Sequence, residues 1–272
     1  MNTTIRWTLV AMLGLILAVS GCSEVGITGR SQFNFMPDSL VTSMSAQQYS
    51  QYLSENKVIT GTADSEMVKR CGERIVAAVD EFCQQNMEHN PFAGYQWEFN
   101  LVEDPAVNAF AMPGGKVVVN TGLLPVAQNE TGLAVVMGHE IAHVFAKHGS
   151  ERMSQQLLVQ MGGIGLNEAL KNKPEETRAL FASSYGLGAQ VALLLPYSRL
   201  HESEADRLGL IFMAMAGYDP RVAVGFWERM AAQSSGSKPP ELLSTHPADA
   251  TRIADIQKHM SEALSYYEES QR

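Results

Sequence analysis

The stretch GHEIAHVFAKHG, residues 138–149, constrains this chain more than any other. It puts three of the seven histidines on an otherwise apolar segment. Leu133, Val136, Met137, Ile141, Val144 and Phe145 recur at helical spacing and predict a helix buried over most of its surface. A buried imidazole needs a partner, either a backbone carbonyl or a ligand. His139 and His143 are four residues apart, so they stack on nearly one face and can take adjacent corners of a zinc tetrahedron. Glu140, beside the first ligand, points instead at the fourth position, where a water would sit and a carboxylate can take its proton. His148 lies about 140° round the helix from His143. It is expected off that face, as a helix-end residue meeting the C-terminal dipole, with Gly149 as the helix stop.

Two imidazoles need a third ligand from elsewhere, and SRLHESEADRLG, residues 198–209, offers His201, Glu202, Glu204 and Asp206. Glu202 and Asp206 share a helical face. One carboxylate there can bind the ion while the other, a turn on, accepts the N–H of a ligand imidazole and fixes its tautomer. Glu204 faces elsewhere. The alternative is an acidic, solvated helix face. The apolar neighbours Leu200, Leu208, Leu210 and Ile211 weigh against it.

GHEIAHVFAKHG, then YSRLHESEADRLG, then THPADATRI, in that order, resemble the motifs of the M48 family of zinc metallopeptidases, most of all its soluble bacterial lipoprotein members. The hairpin-like stretch NAFAMPGGKVVVNTGLL resembles that family too, and the resemblance runs from about Thr28 to Ala254. It implies an α+β fold: a mostly helical, zincin-like domain with a small mixed or antiparallel sheet and an edge strand over the active-site cleft. It implies one Zn2+ per chain on His139, His143 and Glu202, with Glu140 as general base and Asp206 behind a ligand. Asn108, Ala109, Phe110 and Ala111 are the implied edge strand, to which an extended substrate adds through backbone hydrogen bonds. His246, in THP, resembles a loop histidine that approaches the zinc and blocks its water. It reads equally as a turn histidine before the last helix. Arg252 is left with two roles, pairing with an acid near the site or polarising the substrate carbonyl.

The implied function is endopeptidase action on unfolded or misassembled envelope proteins. The rival reading is a zinc-stabilised periplasmic chaperone or scaffold for outer-membrane assembly, with latent protease activity. A weaker one is a hydrolase of peptidoglycan. The partners that follow are extended polypeptides and outer-membrane assembly proteins. Nucleic acid is excluded as a main partner by the net charge of -9, since phosphate binding needs a basic face.

The N-terminus bears on location. Arg6 precedes an apolar run too short to span a membrane comfortably, followed by Val19-Ser20-Gly21-Cys22. This resembles a bacterial lipobox, with residues 1–21 as a removed signal peptide and Cys22 as the lipidated terminus. Ser23 at the next position suggests the outer membrane, facing the periplasm. Residues 22–38 read as a linker and 39–272 as the peptidase domain. Cys71 and Cys83 remain. An oxidising compartment permits a disulfide, but one helix carrying both would forbid it, because the Cα atoms must approach within about 7 Å.

Helices are expected from near Ser39, over residues 63–86, 130–148, 150–171 and 175–217 with a break near Pro196, over 221–233, and from about Ala248 to Tyr267. Residues 94–104 alternate as a strand. Asn108 to Met112 and Lys116 to Asn120 form a hairpin about Pro113-Gly114-Gly115, and residues 234–247 read as a loop.

Overall fold

A computed structural model describes residues 22–173, 175–189, 195–233, 240–246 and 252–272. The expected signal peptide, residues 1–21, lies outside them. The chain divides into two compact units. One holds Met1–Leu40 and His148–Ser198, the other Val41–Lys147 and Arg199–Arg272.

In the first unit, the stretch expected as a linker contains an antiparallel pair, β1 (Cys22–Glu24) and β2 (Ser31–Phe33), with Cys22 opposite Phe33. The unit continues in two helices, α5 (His148–Leu170) and α6 (Glu175–Ala189). Arg30 forks onto both carboxylate oxygens of the buried Glu151 in the first turn of α5, at 3.2 and 2.9 Å. The backbone N–H of Phe33 donates to Glu151 and that of Phe35 to Ser154 Oγ, both at 3.3 Å. The pair is thereby fastened to the root of α5.

The second unit holds the sheet. Its order is β3 (Val58–Ile59), β4 (Glu98–Val102), β6 (Lys116–Asn120), β5 (Ala109–Met112). β4 and β6 are parallel and the other pairings antiparallel, so the sheet is mixed. All five β6 residues are buried, as its unbroken apolar run requires of a strand covered on both faces. The β5–β6 turn falls on Pro113-Gly114-Gly115 as expected. Both glycines have φ of 86°, a conformation that other residues adopt only at a cost. β5 forms one edge of this sheet and β3 the other.

Around the sheet lie α1 (Asp38–Glu55), α2 (Ala63–Asn86), the short α3 (Leu124–Ala127), α4 (Glu130–Phe145), α7 (Leu195–Met215), α8 (Val222–Gln233), α9 (Glu241–Thr245) and α10 (Arg252–Ser270). α2 starts with a capping box between Thr62 and Ser65 and buries Val68, Cys71, Ile75, Val79 and Cys83 on one stripe. Cys71 and Cys83 are therefore on one helix, both free thiols, and the disulfide is ruled out by geometry. α9 and β3 were not anticipated. The residues where the last helix was expected to begin, 247–251, lie outside the described ones.

One boundary differs with consequence. α4 ends at Phe145, not His148. Ala146 caps it and Lys147 takes φ of 52°, so His148 and Gly149 open the next helix rather than closing this one. His148 thus stands in the first turn of α5, not in the last turn of α4.

α4 and α7 cross backbone to backbone. A Cβ on Gly138 would lie 2.6 Å from the Gly209 carbonyl oxygen, and one on Gly209 would lie 2.8 Å from the His139 nitrogen. The histidines of α4 and the acids of α7 flank this crossing. Gly138→Ala should therefore force the two helices apart, costing about 1–3 kcal/mol and weakening metal binding. Thermal melts with and without zinc measure both effects, and an unchanged midpoint would show that the contact is not tight.

Candidate metal centre

Asn129 starts α4 by accepting the Gly132 N–H at 2.9 Å, and the helix then runs almost wholly buried to Phe145. On α7, Glu202, Asp206 and Gly209 follow a four-then-three spacing, so one stripe carries the carboxylates and the close contact. That stripe meets His139. Its Nδ1 lies 2.9 Å from Asp206 Oδ1, and its Nε2 lies 3.3 Å from Glu202 Oε2 and 3.1 Å from His143 Nε2. His143 Nε2 is 3.5 Å from Glu202 Oε1.

His246 joins them. Its Nδ1 is 3.0 Å from both Glu202 oxygens and 3.3 Å from His139 Nε2. The donor atoms of His139, His143, Glu202 and His246 all lie within 4.8 Å of one another. Tetrahedral bonds of zinc length put ligand atoms roughly 3.3 Å apart, close to the separations seen here. The tautomer fits too: an Nδ1–H given to Asp206 leaves the Nε2 lone pair of His139 turned to the cluster. The donor set suits a divalent metal. Glu204 and His201 are buried but are not among the four.

Glu140 lies beside the cluster. Its Oε2 accepts the Ala111 N–H of β5 at 3.0 Å. Its Oε1 is buried without a hydrogen bond, 3.5 Å from His246 Nε2. Burial pushes its carboxyl above the ordinary range, with the histidines pulling the other way. A carboxylate so placed is disposed to accept a proton.

The expected edge strand is in place, with Ala109, Phe110 and Ala111 on β5 and Asn108 just before it. One edge N–H, that of Ala111, is already committed to Glu140. The segment bearing His246 is tied to the start of the same strand. Leu242 N–H donates to the Val107 carbonyl at 3.1 Å, and Asn108 Nδ2 donates to Glu241 Oε1 at 3.2 Å.

Arg252 takes the first of its two roles. Its Nη2 donates to Asp206 Oδ1 at 2.7 Å, and its Nη1 donates to the His246 carbonyl at 3.2 Å. Its guanidinium lies 3.4 Å from the centre of the Trp227 ring. Trp227 was read only as part of a helix, and nothing in its spacing singles it out. Burial opposes the charge on Asp206, but Arg252 and His139 outweigh it and hold the carboxyl low. Glu202 is likewise lowered: burial opposes its charge, and the histidines overcome that.

A model of peptidase family M48 matches residues 68–260. The chain belongs to peptidase family M48. It is similar to "Mitochondrial metalloendopeptidase OMA1" of Schizosaccharomyces pombe, 32% identical over 95% of this chain and 73% of that protein. It is also similar to "Metalloendopeptidase OMA1, mitochondrial" of Homo sapiens, 30% identical over 89% of this chain and 46% of the relative. A third relative is the "Beta-barrel assembly-enhancing protease" of Yersinia pestis, 32% identical over 73% of this chain and 39% of the relative. The chain thus spans less than half the length of the latter two. Its class is that of the metalloendopeptidases, and the expected α+β, mostly helical architecture is the one observed.

In this M48 peptidase, burial disfavours the charged His139 ring, but the bonds to Asp206 and Glu202 outweigh it and hold the pKa at about 9. Metal must displace that proton. The sign follows: below about pH 9 the proton competes, so affinity rises with pH, by up to about tenfold per unit from this group. Zinc competition titrations between pH 6 and 8.5 test this, and a flat profile would contradict it.

Proposed function

We propose that this chain is a zinc-dependent endopeptidase of the bacterial envelope that cleaves unfolded or misassembled proteins. The observation that carries the proposal is the Glu140 carboxylate facing the cluster of His139, His143, Glu202 and His246. His139, His143 and Glu202 would hold the zinc. Zinc bound there supplies Lewis-acid polarisation of the scissile carbonyl and of a water. The chain's residues do the rest. Asp206 and Arg252 fix the His139 ring. An extended polypeptide lies along β5, backbone to backbone, on Asn108 to Ala111. Glu140 takes the proton from the attacking water and passes it to the leaving amine.

The envelope reading rests on the N-terminus. Cys22 is the proposed lipid attachment site, holding the protein at the outer membrane on its periplasmic side, near outer-membrane assembly partners. The name of the Yersinia relative agrees with this, whereas the mitochondrial names of the others speak only for a shared chemistry.

The position of His246 favours a second feature, latency. It occupies the place a water needs, so it would act as a removable fourth ligand. A scaffold with dormant activity is the form this takes if His246 never withdraws.

Glu140→Gln should keep zinc and lose casein cleavage by about a hundredfold or more. Retained cleavage in that variant would refute the base assignment. Glu202→Ala should lose the metal, and normal zinc content would leave it to the three histidines of the cluster. His246→Ala should raise turnover severalfold with zinc still bound, as read by metal analysis beside the casein assay. An unchanged rate would leave His246 as a turn residue.

A further inference from the structure

The α5–α6 hairpin supplies none of the four cluster residues, yet its composition asks for a role. The helices are packed closely: Gly162 leaves room for the Tyr185 hydroxyl, which donates to the Val159 carbonyl at 3.0 Å. Among the described residues seven large apolar side chains stand exposed, and four are here: Leu158 at 43%, Met161 at 54%, Ile164 at 69% and Phe181 at 50%. Residues 153–167 and 179–189 contain no charged side chain. Between them Lys171, Lys173 and Arg178 balance Glu168, Glu175 and Glu176, so the hairpin is neutral on a chain of net charge -9. Such a concentration of exposed apolar surface marks a contact with something apolar.

The position of Cys22 says what that is. Cys22 pairs directly with Phe33, whose N–H is bonded to Glu151 at 3.3 Å. Adjacent strands are about 5 Å apart, so the proposed anchor point sits at the root of α5, held there by the buried Arg30–Glu151 pair. Along a helix at ~1.5 Å per residue, Leu158, Met161 and Ile164 follow at roughly 10, 15 and 20 Å from Glu151. An acyl chain on Cys22 would hold the root of α5 at the bilayer, leaving all three within about 20 Å of it along the helix.

We infer that the α5–α6 hairpin is a membrane-seating surface that lies in the lipid headgroup region beside the anchor, burying Leu158, Met161, Ile164 and Phe181. The inference rests on the reading of Cys22 as the lipidated residue, and its test separates the two. The mass of the mature protein, made from the full chain, reports acylation at Cys22 and bears on the anchor alone. For the hairpin, Met161→Cys in a Cys22→Ser background is labelled with an environment-sensitive dye, since Cys71 and Cys83 are buried and Cys22 would otherwise take the label. The protein is then bound to vesicles of equal parts phosphatidylethanolamine and phosphatidylglycerol. Blue-shifted emission, quenched severalfold by spin-labelled lipid, is expected whether or not acyl chains are found. The double substitution Met161→Glu with Ile164→Glu should lower the vesicle-bound fraction of unacylated protein severalfold and leave casein cleavage unchanged. Water-like, unquenched emission from vesicle-bound protein overturns the inference. So does a blue shift that needs only higher protein concentration, which would make the face a contact between two copies. Loss of casein cleavage with vesicle binding intact overturns it in favour of a substrate contact.

Discussion

The site depends on how closely α4 and α7 approach at Gly138 and Gly209. Neither helix carries a complete ligand set. α4 brings His139, His143 and Glu140, and α7 brings Glu202 and Asp206. Ordinary side chains at the crossing would hold helix axes 8–10 Å apart. With a backbone carbonyl where a Cβ would otherwise sit, the carboxylates of α7 can reach the imidazoles of α4 at about 3 Å. The glycines are therefore part of the metal site, although they contribute no atom to it.

That approach creates an electrostatic problem that the outer residues solve. Three carboxylates, Glu140, Glu202 and Asp206, are buried together with the imidazoles, and each charge alone would be costly there. Arg252 supplies a fixed positive charge to Asp206, and Asp206 in turn orients His139. The Trp227 ring covers the guanidinium face, so the arginine is held in a partly apolar pocket by a cation–π contact. Because Arg252 also grips the His246 carbonyl, the segment bearing His246 and the acid bonded to His139 hang on one side chain.

How much of this was legible in the sequence follows from the range of the interactions. The α2 helix, the hairpin of β5 and β6 and the paired motifs of α4 and α7 were readable, because periodicity and i, i+4 spacing are local. The end of α4 was misplaced because Gly149 looks like a helix stop, whereas Lys147 makes the turn with a positive φ and no glycine. β3 and α9 are too short to carry a period, and β3 exists only because β4 offers it an edge. Trp227 and the bond from Ala111 to Glu140 were invisible for a different reason: they join residues far apart in the chain that have no mutual spacing to read. The disulfide was decided only once α2 was known to be one continuous helix.

Glu140 is where these long-range contacts converge. Its two oxygens face different elements, Oε2 the edge strand through Ala111 and Oε1 the ring of His246. Both elements are tied together at Val107 and Asn108, by the bonds to Leu242 and Glu241. The carboxylate is thus held between two elements that are themselves joined, and that double attachment fixes its position beside the cluster.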